Sequence, residues 1–364
     1  EPEASFLRIR YRIDGMLRQI RSLHKTYWPA MAVRIKVLSG MNIAETRAPQ
    51  DGRISLNLRG RQIDFRVSAQ PTIHGENIVL RILDRQKGIV PLEGLGLADK
   101  QLDQLKLMIA RPEGIVFVTG PTGSGKTTTL YSILNHINSE GVNIMTLEDP
   151  VEYPMTLVRQ TSAADSLKLD FANGIRSMMR QDPDIILVGE VRDAETAEMA
   201  LRAAMTGHQV YSTLHTNSAL GAIPRLLDIG IVPDIMAGNI IGIIAQRLVR
   251  RLCVHCKIPY QAEAHEARLL GNLAEGPRPV VYRPGGCERC EFQGYRGRLA
   301  IMELLRINGD MDELIARRST FREMRTLASR QGFATLADDG LRRVLDGSTA
   351  LEEVGRVVDL TDRM

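Results

Sequence analysis

The sequence predicts an α/β protein with a mainly parallel sheet, preceded by a smaller α+β region. Three observations carry this. From about residue 101, short apolar runs (Ile115 to Val118, Ile144 to Leu147, Ile185 to Val188) alternate with apolar residues at helical spacing, the pattern of strands buried on both faces with helices between them. Residues 5–84 instead alternate apolar and polar side chains, as half-exposed antiparallel strands do. A glycine-rich stretch then links the first buried strand to a helix.

Taken in order, Phe6 to Ile13, Ile54 to Leu58 and Ile63 to Val67 read as strands, with Asp14-Gly15 and Asp51-Gly52 at turns and one helix near Tyr27 to Ser39. This gives an α+β domain over 1–84. Residues 85–100, rich in Gly and containing Pro91, read as a linker. The α/β domain spans 101–247, with a further strand at Gln209 to Thr213. Two Cys-x-x-Cys pairs define a module over 248–300. A helical region punctuated by Gly309, Gly332, Gly340 and Gly347 fills 301–364.

Composition narrows the function classes. The chain has 364 residues, 44% hydrophobic and 25% charged, which excludes a disordered or fibrous protein. A net charge of +4 is too mild to argue for nucleic acid by itself. Its distribution is uneven: residues 1–84 hold 14 Lys and Arg against 8 Asp and Glu, a basic segment suited to phosphates or simply a solvated face. No apolar run reaches the roughly 18–20 residues of a membrane helix; the best candidate, around Ile235 to Ala245, is short and contains Asn239 and two glycines. The opening Glu1-Pro2-Glu3 has neither an initiating Met nor a signal pattern, which predicts that the chain begins inside a longer protein.

Gly120-Pro121-Thr122-Gly123-Ser124-Gly125-Lys126-Thr127 fits the phosphate-loop pattern, with a strand before it and an amphipathic helix after it. Glycines let backbone N–H groups converge on phosphate oxygens at a helix amino terminus. Lys126 is expected to reach the β and γ phosphates and the Thr127 hydroxyl to complete a Mg²⁺ shell; the plainer alternative is a glycine turn without ligand. Hydrolysis also needs a carboxylate and a group that senses the γ phosphate. The strand Ile185 to Val188 ends in Gly189-Glu190, so Glu190 takes the acidic role, with Glu148 assisting from the end of the Ile144 to Leu147 strand and Glu152 as a weaker candidate. His215 directly follows a strand, where an imidazole N–H can touch a terminal phosphate; His208 is a lesser candidate.

Gly120 to Thr128, Thr146 to Glu152, Leu187 to Asp193 and Gly207-His208 through His215-Thr216-Asn217 resemble, in order and spacing, the Walker A, Asp box, atypical Walker B and His box of the secretion ATPase superfamily. The cysteine pairs resemble its type II secretion and type IV pilus assembly branch (GspE/PilB). The resemblance implies a RecA-like motor domain behind a PAS-like amino-terminal domain, in a cytoplasmic homo-hexamer held peripherally at the inner membrane. There ATP hydrolysis would drive a platform protein that adds pilin-like subunits to a fibre. It also implies that Arg53 and Arg66 approach the nucleotide, with Arg61 and Arg81 as nearby substitutes, against the alternative of surface arginines on a strand. The family usually begins with a further domain that docks to the membrane complex.

Cys253-Val254-His255-Cys256 and Cys287-Glu288-Arg289-Cys290, separated by a 30-residue insert, offer four thiolates, suited to structural Zn²⁺ with His255 a bystander. Two disulfides are the alternative. Two rival functions follow from the same residues: a nucleic-acid translocase, against which the sparse aromatics of the insert argue, and a nucleotide-gated scaffold with little turnover. The leading reading is an ATPase with ATP, Mg²⁺ and Zn²⁺ and no direct nucleic-acid partner.

Overall fold

The computed structural model describes residues 1–364 except 59, 85–88, 164–169, 275, 277 and 364, together with the side chains of Arg61, Asp84 and Asp362. The chain forms two compact units, residues 1–88 and 89–364.

In the first unit, β1 (Phe6–Ile13) and β2 (Met16–His24) pair as a hairpin closed by Asp14 and Gly15, both at positive φ (50° and 87°). That is the two-residue turn whose twist matches paired strands. Helix α1 (Trp28–Leu38), with Pro29 in its first turn, packs on a three-stranded antiparallel sheet of β3 (Gln50–Leu58), β4 (Arg61–Thr72) and β5 (Gly75–Asp84). Met41, Ile54, Val67 and Ala69 form one small core, and Leu7, Trp28 and Ala32 another. Asp51-Gly52 is not a turn but part of β3. A Cβ on Gly52 would lie 2.3 Å from the Ser39 carbonyl oxygen, so the glycine admits the end of α1 against the strand.

The second unit opens with a packed segment: the described part of the expected linker buries Leu92 and Leu95 in its core. Then follow α2 (Asp99–Ile109), β6 (Gly114–Thr119), α3 (Lys126–Ile137), β7 (Ile144–Glu148), β8 (Val158–Ser162), α4 (Phe171–Met178), β9 (Ile185–Val188), α5 (Ala194–Met205), β10 (Gln209–Leu214), α6 (Ala222–Asp228), α7 (Pro233–Met236) and β11 (Ile240–Leu252). A short hairpin of β12 (Ile258–Gln261) and β13 (Val280–Arg283) brackets α8 (Ala264–Leu270). The long strand β14 (Tyr295–Arg306) precedes α9 (Gly309–Ala316), α10 (Phe321–Arg330), α11 (Leu336–Leu345) and α12 (Leu351–Gly355).

The seven-stranded sheet has the order β14-β11-β6-β10-β9-β7-β8, parallel except for β14 at the edge. Alternate residues of β6 feed two cores: Ile115 and Phe117 pack with α4, α5 and α6, while Val116 and Val118 pack with α2 and α3. Burial on both faces is what the continuous apolar run encodes. The boundaries expected at 247 and 300 fall inside β11 and β14, which pair over most of their length and carry the cysteine module between them. No helix among the described residues is long and apolar enough to cross a membrane.

Candidate nucleotide site and cysteine cluster

Because β6, β10, β9 and β7 run parallel, the loops that follow them meet at one edge of the sheet. The glycine loop leaves β6 and enters α3 through Gly125, at φ 92°. Gly120 (φ 148°) has no room for a side chain: a Cβ would lie 2.6 Å from the Gln246 carbonyl oxygen and from Ser124 Oγ. A Cβ on Gly123 would meet nothing within 4 Å. Pro121, Thr122, Gly123 and Thr127 are exposed, Thr128 is half-buried, and Lys126 donates to the carbonyls of Gly120 (2.8 Å) and Pro121 (3.2 Å). Ser124 Oγ is buried without a partner among the described residues. An open loop rim, a helix amino terminus and a lysine curled over the loop suit a phosphate chain. Burial, with help from the Arg247 charge, holds the Lys126 ammonium below its usual pKa, while Glu190 opposes the shift.

Glu190 follows β9 and is 15% exposed at its side chain; it pairs with Arg192, and His215 Nε2 stands 3.4 Å from its Oε2. Side chains of β10 fix this corner. Ser212 donates to the Val188 carbonyl and Thr213 to the Gly189 carbonyl (2.8 Å each), while Val191 N–H donates to the Thr213 carbonyl. Thr119 Oγ1 accepts from Thr216 N–H at 2.8 Å, tying the loop after His215 to the end of β6. The glycine before Glu190 relieves crowding, since a Cβ at 189 would lie a tight 3.2 Å from Glu148 Cα and from the Leu147 carbonyl oxygen.

Glu148 is elsewhere in kind. It is 5% exposed and accepts from Tyr131 of α3 (2.5 Å), Thr146 (2.6 Å) and Gln160 (3.3 Å). Burial pushes its carboxyl above the usual range despite these donors. Both oxygens accept hydrogen bonds from the protein, and the one from Tyr131 ties the carboxyl to α3. Glu152 N–H meets the same Tyr131 hydroxyl at 3.3 Å. His208 precedes β10 and bonds Ala203 and Thr206, at the opposite edge from the glycine loop. Arg53, Arg66 and Arg81 lie opposite one another across β3, β4 and β5, in a single row on one face. Sequence reasoning assigned nothing to Tyr131, Arg192, Gln246 or Arg247, polar residues inside apolar or charged runs. The available signal was Gln246-Arg247 breaking the apolar run that starts at Ile240.

Cys253, Cys256, Cys287 and Cys290 bring their sulfurs within 4.8 Å of one another. Separations of 3.9 Å (253–287), 3.7 Å (256–290) and 3.8 Å (287–290) match the edge of about 3.8 Å that a tetrahedron with Zn–S bonds of ~2.3 Å requires. They are far beyond a disulfide bond, and all four cysteines are free. Burial disfavours the Cys290 thiolate, but N–H groups of Cys287 and Gly294 outweigh it and bring the thiol to about 6. A Cβ on Gly285 would lie 2.1 Å from the Cys256 carbonyl oxygen, so the two knuckles close on each other. His255 lies against Arg289, outside the cluster. The donor set fits one tetrahedral ion.

The parallel sheet and the glycine loop define a P-loop ATPase. The chain belongs to the Type II/IV secretion system protein family, whose profile matches residues 1–356. It is 47% identical over 349 residues to type II secretion system protein E of Pseudomonas aeruginosa, covering 96% of this chain and 69% of that protein. It is 45% identical over 351 residues to type II secretion system ATPase E of Vibrio cholerae, with the same coverage. Among solved structures, the pilus retraction motor PilT with bound ADP superposes with a TM-score of 0.65 at 28% identity, over 99% of this chain and 95% of that one.

Proposed function

We propose that the chain is the motor of a type II secretion or pilus assembly machine, converting ATP hydrolysis into movement of an inner-membrane platform protein. The observation that best supports this is the meeting of the Lys126 loop with the Glu190–His215 pair at one sheet edge. In this reading the backbone N–H groups of the Gly120 to Gly125 loop other than Pro121, which has none, hold the phosphates together with the Lys126 ammonium and Thr128, and the Thr127 hydroxyl would hold Mg²⁺. Mg²⁺, when bound, offsets charge on the phosphate oxygens. Glu190 orients the attacking water and takes its proton as the new P–O bond forms and the bond to the ADP oxygen breaks. The His215 imidazole, held at Glu190, registers the γ phosphate. Glu148 assists by holding α3, and with it the lysine, from the buried side.

The amino-terminal unit plays the PAS-like part, and Arg53 and Arg66 supply guanidinium groups for phosphate oxygens. The four cysteines hold structural Zn²⁺ with no open position. The working form is a cytoplasmic homo-hexamer bound peripherally to its membrane partners, without direct nucleic acid. Phosphate release by the native assembly, with and without DNA, tests the reading alongside its native mass and metal content. Turnover indifferent to DNA in a hexamer with one zinc per chain is expected. Release that requires DNA, or no release at all, overturns it.

A further inference from the structure

Gln246 lies on β11, one residue past the pairing of Ala245 with Thr119, and so stands beside the first residue of the glycine loop. It is 1% exposed. Its Nε2 donates to the Ser124 carbonyl at 2.6 Å, and its Oε1 accepts from the Thr129 hydroxyl of α3 at 2.8 Å. The Ser124 carbonyl can only accept, so the amide must turn its NH₂ toward the loop. Thr129 then satisfies the other end of the amide.

We propose that Gln246 is a positioning residue for the phosphate loop: its amide keeps the Ser124–Gly125 peptide turned so that the carbonyl faces β11 and the N–H groups remain for the nucleotide. The inference rests on reading this loop as the ATP grip. A carbonyl dipole turned inward would repel phosphate, whereas converging N–H groups attract it. Gly125, at φ 92°, has the backbone freedom that makes such a peptide easy to reverse. A Cβ there would also sit 3.0 Å from Gln246 Nε2, so the glycine gives the amide access. The β11 backbone closes on the loop as well, with the Gln246 carbonyl oxygen 2.6 Å from where a Gly120 Cβ would be. One residue thus grips both ends of the loop.

The test uses the full chain and its Gln246→Glu, Gln246→Met, Thr129→Val and Gln246→Met/Thr129→Val variants. The dissociation constant of a fluorescent ATP analogue with Mg²⁺ is measured beside KM and kcat. Replacing a buried donor by an acceptor in Gln246→Glu is expected to weaken binding about 30-fold, and losing the donor in Gln246→Met about 10-fold. Freeing the amide in Thr129→Val should cost about threefold. The double variant should bind no more weakly than Gln246→Met alone, because both act through one contact, and kcat at saturation should stay within about threefold.

Wild-type affinity in folded Gln246→Glu and Gln246→Met, strictly additive losses, or a loss confined to kcat overturns the assignment. Should the Gln246 variants fail to fold, unchanged affinity in Thr129→Val overturns it. Failure of the unaltered chain to bind the analogue would instead remove the reading of the loop on which the proposal stands.

Discussion

Two glutamates end neighbouring strands of one sheet and live in opposite surroundings. Glu190, after β9, keeps some exposure and faces Arg192, His215 and the Lys126 ammonium. Glu148, at the end of β7, is sealed beneath α3, with its oxygens taken by Tyr131, Thr146 and Gln160 and its carboxyl driven toward the neutral form by burial. A carboxylate that is to handle water needs access and charged neighbours. One that is to hold a helix needs donors and dryness. Environment, more than residue type or place in a motif, separates the two parts.

The comparison can be broken most forcefully at the charge that Glu190 faces. Lys126→Ala should reduce phosphate release by about 10³-fold or more, since it removes the loop's one cation on the phosphates; turnover near the unaltered rate would leave Glu190 without its setting. Next in size, Glu148→Ala should lower unfolding free energy by about 2–4 kcal/mol, because two buried donors and one half-buried donor lose their acceptor. Denaturant titration checks this, and a loss under about 0.5 kcal/mol would show that Glu148 is no structural hold. His215→Ala should slow release about 10-fold, in line with one hydrogen bond at the site, while leaving unfolding unchanged.

The smallest effect concerns pH. Burial raises the Glu148 carboxyl in the folded protein, so the folded state holds this proton more tightly than the unfolded chain. The contribution is fully present below the ordinary carboxylate pKa and fades as pH rises through the raised value. Glu148→Gln has no such proton to lose, so its melting temperature relative to the unaltered chain should climb as pH rises above the ordinary carboxylate range. A relative melting temperature that falls over the same range would contradict the buried, proton-favouring environment.

The parallel sheet, the glycine loop and the cysteine cluster were legible because each is written locally: apolar runs of strand length, a fixed glycine spacing, and thiols two residues apart. The Asp14-Gly15 turn was equally local. Asp51-Gly52 misled because glycine also serves close backbone approach, and only the distant Ser39 carbonyl distinguishes the two uses. The surroundings of Glu148 were illegible for a related reason. Its partners come from α3, from β7 itself and from β8, and sequence order does not announce that Tyr131 and Gln160 converge on one carboxyl. The membership of β11 and β14 in the sheet was missed because their outer halves lead directly to and from the cysteines, so composition changes where the strands do not.

The most direct test of the division between the two carboxyls pairs Glu190→Gln with Glu148→Gln, each a near-isosteric change, and measures nucleotide binding and phosphate release on the same preparations. The account predicts that Glu190→Gln binds ATP at the unaltered strength but releases phosphate at least about 100-fold more slowly, while Glu148→Gln retains most of its turnover. The reverse pattern, with release surviving in Glu190→Gln and lost in Glu148→Gln, would contradict it.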